Sequence, residues 1–300
     1  MNKHSLKHHI EYFILRTICG WIKSKPLPDA INKYKILGKI WSEYLKIRKK
    51  ETLDNLRHAF LELSEKEIEK LGEAVFYHFS RLAVEVVLLS NMIKYGFDNF
   101  IGESNWEVLE NAHAEGRGVV FVSGHIGNWE LLGTAMTIRG LPIWTLVANI
   151  KNPLVDQFVY RHRVDSGMKI IRIKESRRMI QKGIKQGAII IFVSDQDAGK
   201  NGIFVPFLGK PASTHTGAAV YALRYKVPLV YGMSYFKDKK YHFHFERFDG
   251  NSQLKFSREN IYKITEWYSK TLENDVRKYP EQYFWLHRRW KTRPESESSS

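Results

Sequence analysis

Apolar positions in the first third of the chain recur at three- and four-residue intervals. Ile68, Leu71, Val75 and Phe79 follow one another in this way behind Ser64 and Glu67, a pair with capping-box spacing. Residues 1 to about 95 are therefore expected to be mostly helical. From about residue 117 the period changes. GVVFVS (118–123), IWTLVA (143–148), KIIRI (169–173) and AIIIFV (188–193) are short β-rich runs, and they alternate with helical stretches near 128–139, 153–166 and 175–186. The alternation predicts an α/β fold: a mixed, largely parallel central sheet flanked by helices, behind an N-terminal helical subregion. A further helix is expected near 213–226 and a strand at PLVYGM (228–233). KYHFHFER (240–247) alternates with Tyr241, Phe243 and Phe245 on one face, and a helix over 258–279 ends at Pro280. With no repeats and no long linker, residues 26–294 read as one domain, after a basic amphipathic segment (1–25) and before a polar tail, ESESSS (295–300), expected to be disordered.

Composition adds a bias of charge. Lys plus Arg number 47 against 32 Asp plus Glu, a formal net charge of +15. Such an excess favours a polyanionic partner: nucleic acid, anionic headgroups, a phosphorylated substrate or an acidic protein. A single cysteine, Cys19, excludes an intramolecular disulfide framework and a Cys-based zinc cluster. No secretory signal is evident. The run IEYFILRTICGWI (10–22) is interrupted by Glu11 and Arg16, and a spanning helix needs about 20 predominantly apolar residues. On a helix, Ile10, Ile14, Ile18, Trp21 and Ile22 fall near one stripe with basic residues at both ends. That arrangement suits a segment lying on a membrane surface, or a helix packed on the protein's own core. His4, His8 and His9 read as a mobile basic terminus.

The chemistry is concentrated where strands end. In VVFVSGHIGNWE, Gly124 and Gly127 permit a sharp turn after the strand, and Asn128 is placed to cap a helix starting at Trp129. On one continuous helix His125 and Glu130 would diverge, but across a strand–helix corner they can converge. The expectation is a dyad in which Glu130 accepts the Nδ1 proton of His125 and leaves Nε2 as a general base. The carboxyl ends of strands in an α/β sheet are also where ligands bind. A second strand runs into SDQDAGKNGIFVPFLGKP (194–211). Its Asp195 and Asp197 fail the calcium-loop pattern, leaving a loop contacting polar substrate groups, a divalent-metal pair, or a plain turn. His242 and His244 share a strand face but lack a third ligand nearby. No glycine-rich phosphate loop and no Gly-x-Ser-x-Gly elbow is present.

Five stretches in order carry a family resemblance: NLRHAFLELS (55–64), GHIGNWEL (124–131), NPLVDQFVYRHRVDSG (152–167), SDQDAGKNGIFVPFLGKPASTHTGAA (194–219) and YFWLHRRWKTRP (283–294). With them the chain resembles the bacterial lipid A late (lauroyl/myristoyl) acyltransferases, within the His-x4-Asp/Glu glycerolipid-type acyltransferases. Leu61 stands where that family usually has proline and Trp290 where phenylalanine is common. The spanning helix that often opens the family is missing here. The resemblance implies transfer of an acyl chain from acyl carrier protein to a hydroxyl of a phosphorylated glucosamine disaccharide lipid, at the cytoplasmic face of the inner membrane with peripheral or weak anchoring. It implies His125 and Glu130 as the catalytic dyad, Arg163 as an arginine associated with activity, Asp195 as the aspartate of the family's Asp-x-Asp stretch, and Asp197 with the VPF segment as its substrate-side loop. No metal and no dissociable cofactor is implied.

On this reading His125 takes the acceptor's proton as the hydroxyl attacks the thioester. Backbone N–H groups at the turn, or Arg163, receive the oxyanion. Arg288, Arg289, Lys291 and Arg293, with the N-terminal lysines, form an anion patch for lipid phosphates and the acidic carrier protein. Two alternatives share some of these features: an acyltransferase for another glycolipid, such as a phosphatidylinositol mannoside, and a basic nucleic-acid-binding protein.

Overall fold

The computed structural model describes residues 5–250 and 253–294. His4 and the tail 295–300 lie outside the described residues. Helices come first, as the period predicts: α1 (Leu6–Lys23), α2 (Leu27–Asn32), α3 (Tyr34–Lys39), a π-helical turn (Ile40–Leu45), α4 (Lys49–Ala59) and α5 (Glu65–Gly96). At 1.5 Å per residue the 32 residues of α5 span about 48 Å. It starts at a full capping box: the Ser64 side chain accepts from the Glu67 N–H, and the Glu67 carboxylate accepts from the Ser64 N–H at 2.8 Å. α6 (Glu107–Ala114) then leads into the layered part.

That part runs β1 (Val119–Ser123), α7 (Trp129–Ile138), β2 (Ile143–Val147), α8 (Pro153–Asp165), β3 (Lys169–Arg172), α9 (Ser176–Lys185) and β4 (Ile189–Val193). There follow β5 (Ile203–Phe207), β6 (Lys210–Thr214), α10 (Gly217–Tyr225), β7 (Leu229–Lys237), β8 (Lys240–Arg247) and α11 (Arg258–Lys278). The main sheet has the order β3-β2-β4-β1-β7-β8, parallel except for the antiparallel β7–β8 pair. The chain moves from β1 to β2 to β3 in one direction and then back to β4. Right-handed crossovers therefore put α7 and α8 on one face of the sheet and α9 on the other.

The two cores agree with this division. Val120, Val122 and Ile190 pack with Ile180 and Ile184 of α9 and with α10 and α11, whereas Val119, Phe121 and Ile189 pack with Leu132 and Met136 of α7. Fully burying each of these side chains contributes roughly 1.5–3 kcal/mol. Tyr241, Phe243 and Phe245 are buried in the second core, so they offer no stacking platform to a nucleic acid. The outer edge of β8 is covered by residues 102–105: the Gly102 N–H donates to the Tyr241 carbonyl, and Ser104 and Asn105 accept from the N–H groups of Phe243 and Phe245.

Two expectations need correction. Residues 203–214, read as loop, form a two-stranded hairpin (β5–β6), so the next helix starts at Gly217 rather than near 213. And α1 packs on the protein along only part of its length. Its Cys19 and Ile22 are buried, Ile22 against Ala30, Val84 and Leu88, while Leu6, Ile10, Phe13 and Ile14 are exposed.

The corner between β1 and α7 depends on one glycine. Gly127 has φ +60°, and a Cβ built there would lie 1.8 Å from the Ser234 carbonyl oxygen. Gly140 also has positive φ, +81°, but an added Cβ meets nothing within 4 Å. Gly140→Ala should cost only the backbone component, about 1–2 kcal/mol. Gly127→Ala should cost clearly more, at least about 3 kcal/mol once the collision is added. Urea midpoints of the two variants against the parent measure the difference.

Candidate active site

His125 stands just beyond the carboxyl end of β1, and its partner comes from the neighbouring strand. β1 and β4 run parallel with Ser123 opposite Val193, and the Ser194 N–H continues the ladder to the Ser123 carbonyl. The next residues of both strands are thereby set side by side. Asp195 grips His125 twice: Oδ1 is 2.7 Å from the ring Nδ1, and Oδ2 accepts from the His125 backbone N–H at 3.0 Å. With Nδ1–H committed to a carboxylate, Nε2 carries the free lone pair. The ring is stacked edge-on against Trp129 at 4.8 Å, with Phe284 at 5.9 Å.

This geometry corrects the expected dyad. Glu130 does not hold the imidazole. Its carboxylate is paired with Arg163 of α8, which donates from Nε at 3.0 and 3.1 Å and from a terminal nitrogen as well. The physical reason is direction: Glu130 sits in the first turn of α7 and points across to the neighbouring α8, while Asp195 arrives on the adjacent strand already level with His125. Glu130 still contributes to the field at the ring. Burial works against the charged imidazole, but Asp195, through charge and hydrogen bond, and Glu130 outweigh it, and the pKa of His125 is raised above the ordinary 6.5. Burial pushes the Asp195 carboxyl up, and His125, the backbone N–H and Arg289 overcome this to hold it below the usual range. For Arg163 burial is likewise outweighed, by Glu130, and the guanidinium is held more firmly protonated.

Asn128 caps α7 as the sequence suggests: its Oδ1 accepts from the Leu131 N–H at 3.0 Å. Its amide nitrogen donates to Glu85, a carboxylate only 1% exposed in the middle of α5 that also accepts from Arg81 and the Tyr241 hydroxyl. Sequence reasoning missed Glu85. The available signal was a lone acidic residue inside the apolar run LAVEVVLLS.

The C-terminal stretch closes the corner from outside. The Gly127 N–H donates to the Gln282 carbonyl and the Phe284 N–H to the His125 carbonyl, both at 2.9 Å. His78, buried and with its pKa lowered to about 4 chiefly by burial, is neutral and donates from Nε2 to the Gly127 carbonyl. Asp197 fastens the same stretch. It accepts from the Thr292 N–H and hydroxyl, and its own N–H donates to His287 Nε2. Asp197 is therefore bound to the protein itself. Among the described residues no group of three His, Cys, Asp or Glu could hold a metal ion.

The expected anion patch divides. Lys291 and Arg293 are exposed, and Arg288 is exposed and paired with Glu51. Arg289 is not on the surface: it is 3% exposed and donates to the Ser213 carbonyl and the Thr214 hydroxyl, behind Asp195.

A cavity of about 620 Å³ opens from the site, within the roughly 300–1,000 Å³ of small-ligand pockets. Its polar end contains His125, Glu130, Arg163 and Ser194; beyond them the walls are Leu132, Met136, Leu146, Met168, Ile180 and Ile191. The arrangement is a tethered base at the head of an apolar pocket, with one guanidinium beside it. NMR titration of the His125 ring checks the pairing. Asp195→Asn leaves the desolvation cost with less to oppose it and should lower the ring pKa substantially; Glu130→Gln should lower it less.

The chain is similar to proteins of known kind. A family model described as bacterial lipid A biosynthesis acyltransferase matches residues 2–292. The lipid A biosynthesis lauroyltransferase of Escherichia coli K12 is 29% identical over 269 residues, 86% of this chain and 84% of the relative. The palmitoleoyltransferase of lipid A biosynthesis from the same organism is 24% identical over 298 residues, covering 98% and 94%. A lipid A biosynthesis acyltransferase of Haemophilus influenzae is 27% identical over 240 residues, 72% of this chain and 74% of that protein.

Proposed function

Because the chain belongs to the bacterial lipid A biosynthesis acyltransferase family, we propose that it moves a fatty acyl group from an acyl-carrier-protein thioester to a hydroxyl of a lipid A precursor, with His125 as general base. The observation that carries this reading is the position of His125, tethered through Nδ1 to Asp195 and lining the polar end of an apolar cavity.

In the reaction Nε2 removes the proton of the acceptor hydroxyl as its oxygen attacks the thioester carbonyl. The new C–O bond forms, the C–S bond breaks, and the proton passes from the imidazolium to the departing thiolate. Asp195, unable to leave its buried position, stabilises the imidazolium while it exists. The acyl tail occupies the apolar part of the cavity. An oxyanion needs donors, and the N–H groups of His125, Gly127, Asn128 and Leu131 are already taken by Asp195, Gln282, Ser234 and the cap. Arg163 is the cation that lines the cavity, aimed by Glu130, and we assign it the developing negative charge. Glu130 is then a positioning residue for Arg163.

Attachment to the inner membrane belongs to the same proposal. No helix among the described residues is long and apolar enough to cross a membrane. α1 instead exposes Leu6, Phe13 and Ile14 beside Lys7, the arrangement of a helix lying in the interface with its apolar side in lipid.

Two measurements follow. With acyl-carrier-protein donor and a tetra-acylated disaccharide acceptor, His125→Ala should lose about 10²–10⁴-fold in rate while remaining folded. The parent rate should fall as pH drops through the raised His125 pKa, since only the neutral ring is a base; a folded His125→Ala variant with parental turnover refutes the mechanism. Separately, Phe13→Glu with Ile14→Glu should abolish flotation with anionic vesicles, and flotation equal to the parent's would exclude α1 as the attachment.

A further inference from the structure

A cluster of positive charge, apart from the C-terminal arginines and the N-terminal lysines, lies on α9. Lys174, just before the helix, and Arg177, Arg178, Lys182 and Lys185 are all exposed, with Glu175 the only acidic residue among them. Among the described residues none of the five forms an ion pair, whereas the opposite side of the helix is buried through Ile180, Gly183 and Ile184. The helix is held rigidly by its apolar side and presents a row of cations about 16 Å long.

The row begins at the cavity. α9 follows β3 directly, so its N-terminal end is at the carboxyl edge of the sheet, the same edge as His125, and Ile173, Ser176 and Ile180 are part of the cavity wall. On the facing helix α10, Tyr221 also lines the cavity and lies in the field of both Arg177 and Arg224. The cations therefore border an opening to the site.

Two kinds of anionic partner could meet such a surface, and the topology separates them. α1 packs on α8 and α5, and α8 covers the face of the sheet opposite to α9. A protein resting on a bilayer through α1 keeps α9 on the other face of its sheet. Within α9 itself no apolar residue is exposed, and the exposed Ile173 just before it belongs to the cavity wall, so the helix has little to insert between lipids.

We propose that the basic face of α9 is the docking surface for the acidic carrier protein that delivers the acyl thioester, seating it so that its prosthetic arm enters the cavity beside Ile173. This rests on the proposed function and adds the partner's location to it. Complementary charge at such a rim acts mainly on encounter, so the effect belongs in KM and its salt dependence rather than in the chemical step.

The experiment compares the parent with Arg177→Glu/Arg178→Glu/Lys182→Glu, using two donors: the acyl carrier protein and the same acyl chain on free phosphopantetheine. KM for the protein donor should rise at least about tenfold, and the parent's low-salt advantage should disappear. Turnover from acyl-phosphopantetheine should be unchanged, which also shows that the variant is folded. An unaltered KM for the protein donor overturns the proposal. So does an equal loss with both donors, or a loss of vesicle flotation, which would make α9 a lipid-facing surface. If the parent itself fails with acyl carrier protein but uses another thioester, the functional proposal is the one that falls.

Discussion

The site depends on one carboxylate holding two points of the same residue. Asp195 is 2% exposed at its side chain and accepts from both the backbone and the ring of His125. Hydrogen bonds to a charged group contribute roughly 1.5–3 kcal/mol each, and a buried carboxylate without them would be strongly destabilising. The backbone bond fixes where the loop goes after β1, and the ring bond fixes the tautomer. The same bonds that fix the imidazole thus also favour the loop's path, because another path would take two of its hydrogen bonds from the buried Asp195. Arg289, behind it, adds positive charge on the far side.

Two further carboxylates extend this logic outward. Glu85 connects Arg81 of α5, Tyr241 of β8 and Asn128, and through Asn128 it fixes the start of α7. Glu130 then reaches from α7 to Arg163 of α8. Each joins elements that are distant in sequence, and each is compensated within the protein. The corner is therefore braced by charge at three depths, from the fully buried Glu85 to the partly solvated Glu130–Arg163 pair. That last pair is itself mostly buried, so Glu130 holds the guanidinium firmly at the cavity wall.

The fold was legible in the sequence wherever a period had room to repeat. The capping box at Ser64, the alternation in β8 and the strand–helix succession from β1 to β4 are all local patterns. The hairpin β5–β6 was not legible because its turn lacks the expected residues. Leu208 and Gly209 both have positive φ, at 50° and 82°, where Asn-Gly is the usual signal, and Pro206 faces Pro211 across the strands. The site was half legible. His125, Arg163 and Glu130 do converge on one cavity, with Asp195 bonded to His125 behind it, but sequence proximity favoured Glu130 as the partner of His125. The true partner is 70 residues away and is brought level by the pairing of β4 with β1, which no local spacing reveals. Arg289 was misread for a related reason: in HRRWKTR every cation looks solvated until the chain folds one of them inward.

The strand order also answers a problem of supply. The reaction proposed above, between a water-borne thioester and a membrane-borne alcohol, would take its reactants from different phases. A sheet with helices on both faces provides two separate outer surfaces, but its carboxyl edge belongs to both. Here the reversal after β3 puts the apolar-striped α1, through α8, on one face and the basic α9 on the other, and the cavity wall includes residues from α7 and α8 as well as from α9 and α10. His125, on a central strand, stands at that shared edge. There the parallel ends of β1 and β4 set His125 and Asp195 between the helices of the two faces.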